Sequence, residues 1–290
     1  GCPTRSAVSR DHSPAKLFRW PTPLHQMAGP WRTEARMWRF AAARAIGRSH
    51  LKANLPCQDQ LACEVLANGS LVAAVADGAG SAALAERGAE LAVATVIGHL
   101  KHSLGERRTD FGVVLREAAA LAREAISAEA DREGTALRSY ASTLLAVVLS
   151  PDSGSALQIG DGVIVVSDGG GEWSWVFWPQ RGEYANTTHF LTDEGALDRL
   201  EAEVFSAGIT DIALMSDGLE PLALHYASKT VHDPFFRGMF QSLVKAEGCA
   251  EINALSASLE QFLSSERVGS RTDDDVSLIL ATRRNHERSQ

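Results

Sequence analysis

Four carboxylate-bearing stretches stand at the edges of apolar runs. Asp77-Gly78 follows residues 71–76, and Asp217-Gly218 follows 212–216. Asp273-Asp274-Asp275 precedes 276–280, and Gln58-Asp59 precedes a run that begins at Leu61. Apolar runs this short predict buried strands, so each carboxylate is expected at a strand end beside the core. Carboxylates sharing one pocket raise each other's pKa unless a cation compensates them. Hard oxygen donors of this kind suit Mg²⁺ or Mn²⁺. Brought together, the four stretches would support metal-dependent hydrolysis.

Each stretch alone has a simpler reading. An Asp-Gly pair is an ordinary turn, Asp217 could cap a helix from Leu219, and an acidic run is usually a solvated loop. Their joint placement at apolar boundaries favours a site. A rival pattern also exists, because Gly78-Ala79-Gly80-Ser81-Ala82-Ala83 fits the dinucleotide fingerprint G-x-G-x-x-A. That fold needs a second parallel strand ending in an acid, and residues 103–108 do not form one. The dinucleotide reading is rejected.

The elements that must position these acids follow from periodicity. Strands are predicted at 38–45, 61–66 and 71–76, the last two joined by Asn68-Gly69, a hairpin signal. A polar loop, 47–59, connects the first strand to the second. Apolar residues at helical spacing predict helices over 82–102 and 111–130. Further strands are predicted at 142–149, 156–159, 163–166, 173–177 and 212–216. Helices at 219–228, 233–246 and 251–264 then precede a last strand at 276–282. Hairpin-linked strands with helices in blocks give an α+β fold, mainly antiparallel, with helices covering the sheets.

The 290 residues can bury a substantial core, and 45% apolar with 22% charged content is ordinary for a soluble domain. A net charge of −8 argues against a nucleic-acid partner. No run is apolar for long enough to cross a membrane. Cys2, Cys57, Cys63 and Cys249 lack zinc-site spacing and fit a reducing compartment, so the expected location is cytoplasmic. Residues 1–36 are proline-rich and aperiodic, and are expected to be a disordered leader or an upstream segment ahead of a domain that starts at Met37. A single domain is expected over 37–284, with 285–290 as a tail.

The chain resembles the type 2C (PPM-type) metal-dependent Ser/Thr protein phosphatases over about 38–281. The resemblance rests on Asn54…Gln58-Asp59, the segment from Val75 to Ser81, and Ala141-Ser142-Thr143-Leu144. It also rests on Ile159-Gly160-Asp161-Gly162, Met215-Ser216-Asp217-Gly218 and Asp274-Asp275-Val276-Ser277. Residues 182–190 look closest to small stand-alone bacterial members. The resemblance implies a four-layer α-β-β-α sandwich, two central antiparallel sheets flanked by helix pairs. It also implies two Mn²⁺ or Mg²⁺ ions and hydrolysis of phosphoserine or phosphothreonine by in-line attack of a bridging hydroxide.

Residue by residue, the resemblance implies that Asp77 bridges both ions and the Gly78 carbonyl binds one of them. Asp217 and Asp274 complete the other ion's shell, and Asp59 holds metal-bound water. Gln58 replaces a glutamate that is a ligand in many relatives, and a neutral amide binds more weakly. Arg138 stands where many bacterial members have an acid for a third ion, for which Asp131 or Glu133 could substitute. Asn54 replaces the phosphate-binding arginine, leaving His50 or Lys52 on the same loop to contact phosphate. The implied partners are phosphorylated proteins, with a bacterial Ser/Thr kinase acting in opposition. Two other readings remain: a phosphatase-fold binding module with weak or no turnover, and a phosphatase of small metabolites.

Overall fold

Among the described residues the chain forms twelve strands, and the alternation of their side chains sets the layers. The structure, a computed structural model, describes residues 37–106, 108–181, 188–206 and 208–284. The expected leader, the tail and part of the 182–190 segment lie outside these residues. One sheet has the order β1 (Arg39–Ala45), β12 (Val276–Thr282), β9 (Asp211–Met215), β6 (Val163–Ser167), β7 (Ser174–Trp175). The other has the order β2 (Gln60–Val65), β3 (Leu71–Ala76), β4 (Leu144–Leu149), β5 (Ser153–Ile159), β8 (Glu201–Ser206). All pairings within both sheets are antiparallel.

Both faces of the central strands are covered, which is why they read as continuous apolar runs. Leu71, Ala73 and Val75 of β3 meet Ile212 and Leu214 of β9 and Ile279 of β12 in the layer between the sheets. The alternate residues Val72, Ala74 and Ala76 face α2 (Ala85–Gly105) and α3 (Phe111–Glu133). There Leu100, Leu115 and Ile126 are fully buried, each contributing about 2 kcal/mol by leaving water. Asp110 caps α3 by accepting from the Val113 amide at 3.1 Å, and Gly134 ends it at φ 64°. On the outer face of the first sheet, Phe236 and Phe240 of α5 (Asp233–Lys245) and Leu259 of α6 (Cys249–Leu263) pack on Ala213, Met215 and Leu278. The result is the expected α-β-β-α sandwich.

Five details differ from expectation. The loop 47–59 contains a short helix, α1 (Arg48–Ala53). The predicted helix 219–228 is one turn, α4 (Glu220–Ala223), followed by a hairpin of β10 (Leu224–His225) and β11 (Thr230–Val231). That hairpin turns at Lys229, φ 50°, and receives the Trp175 indole N–H on the Lys229 carbonyl at 2.9 Å. Strand β8 was not anticipated, and the strand expected at 173–177 shrinks to the two residues of β7. A final one-turn helix, α7 (Glu266–Gly269), precedes the acidic run.

Candidate metal centre

The registers bring the predicted acids to one end of both sheets. Gln60 pairs with Ala76, so Asp59 and Asp77 leave β2 and β3 side by side. Met215 pairs with both Leu278 and Val163, which places Asp217 near the starts of β12 and β6, beside Asp274 and Asp161. Hydrogen bonds hold the Asp77 loop in place. Asp77 N donates to Thr143 Oγ1 at 3.0 Å, Thr143 N to Asp77 O at 2.8 Å, and Ala79 N to Ala141 O at 2.9 Å. The Gly78 carbonyl accepts no hydrogen bond among the described residues.

Two glycines are required by close approach. A Cβ on Gly218 would lie 2.2 Å from the Asp275 carbonyl oxygen. One on Gly78 would lie 2.8 Å from the Gln58 carbonyl oxygen and 2.9 Å from Ala85. The Asp-Gly pairs therefore let four acid-bearing segments approach in two backbone-to-backbone pairs.

Charge repulsion shows how closely the acids gather. Burial holds the Asp77 carboxyl well above the ordinary range, and the charges of Asp59, Asp217 and Asp274 add to the shift. Asp217 lies close enough to Asp77 to be one of the main neighbours raising it. Asp59 is completely buried, and burial pushes it up to about 7. Ser216 Oγ opposes this by donating to Asp59 Oδ2 at 2.6 Å, while Asp275 and Asp217 reinforce it. Asp274 is raised by partial burial and by the charge of Asp217.

Several oxygens here are buried without a hydrogen-bond partner: Asp59 Oδ1, Asp217 Oδ1, Gln58 Oε1 and Glu220 Oε1. Orphaned buried acceptors are costly, and a divalent cation would satisfy them. The donor set is entirely oxygen, as Mg²⁺ and Mn²⁺ require. Among the described residues no three His, Cys, Asp or Glu side chains already close on one point. Asp217 and Asp274 both bear on Asp77, so these residues fit a cation whose shell backbone and water oxygens complete.

Two acids of the centre escaped the residue-level prediction. Burial and then Asp217 push Asp161 up to about 7, and burial with Asp217 and Asp161 does the same to Glu220. Glu220 accepts from the Tyr226 hydroxyl, and Arg181 lies 3.9 Å from it. Asp161 sat in a quoted motif at the start of a strand, a signal that could have found it. Glu220 had no such signal. By contrast Asp131 and Glu133 are exposed at the end of α3, and neither is among the chief charges on any acid of the centre.

The expected phosphate contacts separate. Lys52 is exposed on α1 and makes no ion pair among the described residues. His50 is buried, its Nδ1 2.8 Å from Asp275 Oδ2. Asn54 ends α1 at φ 54°, a backbone reason for asparagine at that position.

Comparison with known proteins agrees with this geometry. The sequence profile described as Protein phosphatase 2C matches residues 46–264. Serine/threonine-protein phosphatase 3 of Escherichia coli (strain K12) is 38% identical over 249 residues, covering 84% of this chain and 98% of that protein. The crystal structure of the Mycobacterium tuberculosis serine/threonine phosphatase PstP/Ppp superposes with a TM-score of 0.58 at 19% identity, covering 84% of this chain and 98% of that one. The catalytic domain of PstP in complex with two manganese ions gives 0.57 at 20% identity, covering 84% and 97%. These two share the fold. With a family profile spanning most of its length and a relative at 38% identity, the chain belongs to the protein phosphatase 2C family.

Proposed function

We propose that this chain is a metal-dependent phosphoprotein phosphatase that hydrolyses phosphoserine and phosphothreonine, opposing a Ser/Thr kinase. The observation that carries the reading is the meeting of Asp59, Asp77, Asp217 and Asp274 at one end of the two sheets, with buried oxygens lacking partners. The Escherichia coli relative is named a serine/threonine-protein phosphatase, and the PstP neighbour holds two manganese ions, both in support.

Asp77 would bridge two Mn²⁺ or Mg²⁺ ions, and the Gly78 carbonyl would bind one of them. Asp217 and Asp274 would hold the other, Asp59 would act through water, and the Gln58 amide oxygen would be a weak further donor. Bound there, divalent ions acidify the attacking water and offset the charge of the phosphate. Asp59, buried and held by the Ser216 hydroxyl, would orient a water. The attack would be direct and in line, with no phosphoenzyme. Three free cysteines among the described residues are compatible with a cytoplasmic setting.

The test is Mn²⁺-dependent turnover of a phosphopeptide and of an aryl phosphate. Chelator and Asp77→Ala should each abolish both. Purified protein that binds Mn²⁺ yet turns over neither substrate would replace this reading with that of a phosphatase-fold binding module.

A further inference from the structure

Asp275 carries more hydrogen bonds than the acids that face the proposed ions. Its Oδ1 accepts from the Gly47 amide at 2.6 Å, and its Oδ2 accepts from the Gln58 amide at 2.5 Å. The same Oδ2 lies 2.8 Å from His50 Nδ1. Asp275 is 2% exposed and His50 7%, so this is a built, enclosed pair. It ties the start of α1, and the residue before Asp59, to the acidic run.

With Nδ1 committed to the carboxylate, Nε2 is the ring nitrogen left for other work. It lies 4.0 Å from where a Cβ on Gly80 would stand, at the solvent-exposed end of the Asp77–Gly80 loop. No described residue hydrogen-bonds it. The ring is also near enough for its charge to act on Asp274. A carboxylate on Nδ1 is the arrangement that orients an imidazole for proton transfer through Nε2.

We propose that His50 is a further catalytic residue, delivering the Nε2 proton to the serine or threonine oxygen that leaves phosphorus, with Asp275 as its positioning residue. The proposal rests on the phosphatase reading above and replaces the simple phosphate contact expected for His50. In the step, the oxygen of water bonds to phosphorus as the bond from phosphorus to the side-chain oxygen breaks. The bonding pair stays on that oxygen, which takes the Nε2 proton. The attacking water's proton passes to solvent, and His50 is reprotonated from solvent. No other reactant is needed.

The discriminating experiment compares leaving groups in the Mn²⁺-loaded protein. A phosphoserine peptide releases a strongly basic alkoxide that must be protonated, whereas p-nitrophenyl phosphate releases a stable phenolate that need not be. In His50→Asn the amide can still donate to Asp275, but nothing replaces Nε2. That variant should lose about 10²-fold or more in kcat on the phosphopeptide and under about 5-fold on p-nitrophenyl phosphate, with KM little changed. His50→Gln should show the same ordering, and Asp275→Asn the same ordering to a smaller degree.

Equal losses on the two substrates, or a loss confined to KM, would overturn the role of His50 while leaving the phosphatase reading intact. If the variants do not fold, a series of substituted phenyl phosphates decides with the native sequence. A shallow dependence of kcat on leaving-group basicity supports the proposal, and a steep one overturns it. Native protein that turns over neither substrate overturns the phosphatase reading and this role with it.

Discussion

Asp59, Asp161 and Glu220 are each pushed up to about 7, chiefly by burial, so the metal-free native state binds protons that the unfolded chain releases. A raised carboxyl contributes stability that is fully present below its unfolded pKa and is lost as pH rises through its folded value. Metal-free protein should therefore be less stable at pH 8 than at pH 5, by several kcal/mol at most, shared among coupled groups. Mn²⁺ should raise Tm more at pH 8 than at pH 5. Thermal melts with and without Mn²⁺ check both signs. Asp217→Asn removes a charge that raises Asp77, so it should cut Mn²⁺-dependent turnover by about 10³-fold or more, yet leave the metal-free Tm unchanged or higher. Asp274 acts on the centre whereas Asp273 does not figure among its charges. Calorimetry should then show Asp274→Asn weakening Mn²⁺ binding more than Asp273→Asn. Equal losses would mean that the acidic run is read in the wrong register.

At the scale of elements, the turns decide whether the acids can meet. Gly218→Ala places a Cβ 2.2 Å from the Asp275 carbonyl oxygen, between two backbones that cannot both move aside. Its expected cost is about 2–4 kcal/mol in urea denaturation, together with weaker Mn²⁺ binding. Strands buried on both faces were legible because every residue in them is apolar, as in β3 and β4. The long helices were legible for the complementary reason, an apolar stripe of helical period. Strand β8 was not, because its extended form comes from pairing with β5 at the sheet edge, where Val204 is exposed and Glu203 points outward. Nor was α1, whose start is held by distant partners. Ser49 N donates to the Asp273 carbonyl at 2.9 Å, and Gly47 N to Asp275. The hairpin of β10 and β11 likewise depends on contacts with β7 rather than on local propensity, which had favoured a helix.

For the whole molecule, the layer between the sheets aligns acids that sit on different sheets. Leu214 of β9 lies in that layer, whereas Leu115 of α3 lies between helix and sheet. Leu214→Ala and Leu115→Ala should each cost about 2–5 kcal/mol of stability. Mn²⁺ affinity should fall only in Leu214→Ala, which loosens β9 against β3. Calorimetry beside urea melts separates the two effects. Local pattern alone was enough for the strand ends, their carboxylates and the α+β class, since burial and periodicity are written into neighbouring residues. Asp59, Asp77, Asp217 and Asp274 were singled out by that pattern together with family likeness. The entry of Asp161 and Glu220 into the centre and the turning of Asp275 inward onto His50 belonged to the packed molecule. Each depends on contacts between segments far apart in the chain, and no run of neighbouring residues encodes a distance across two sheets.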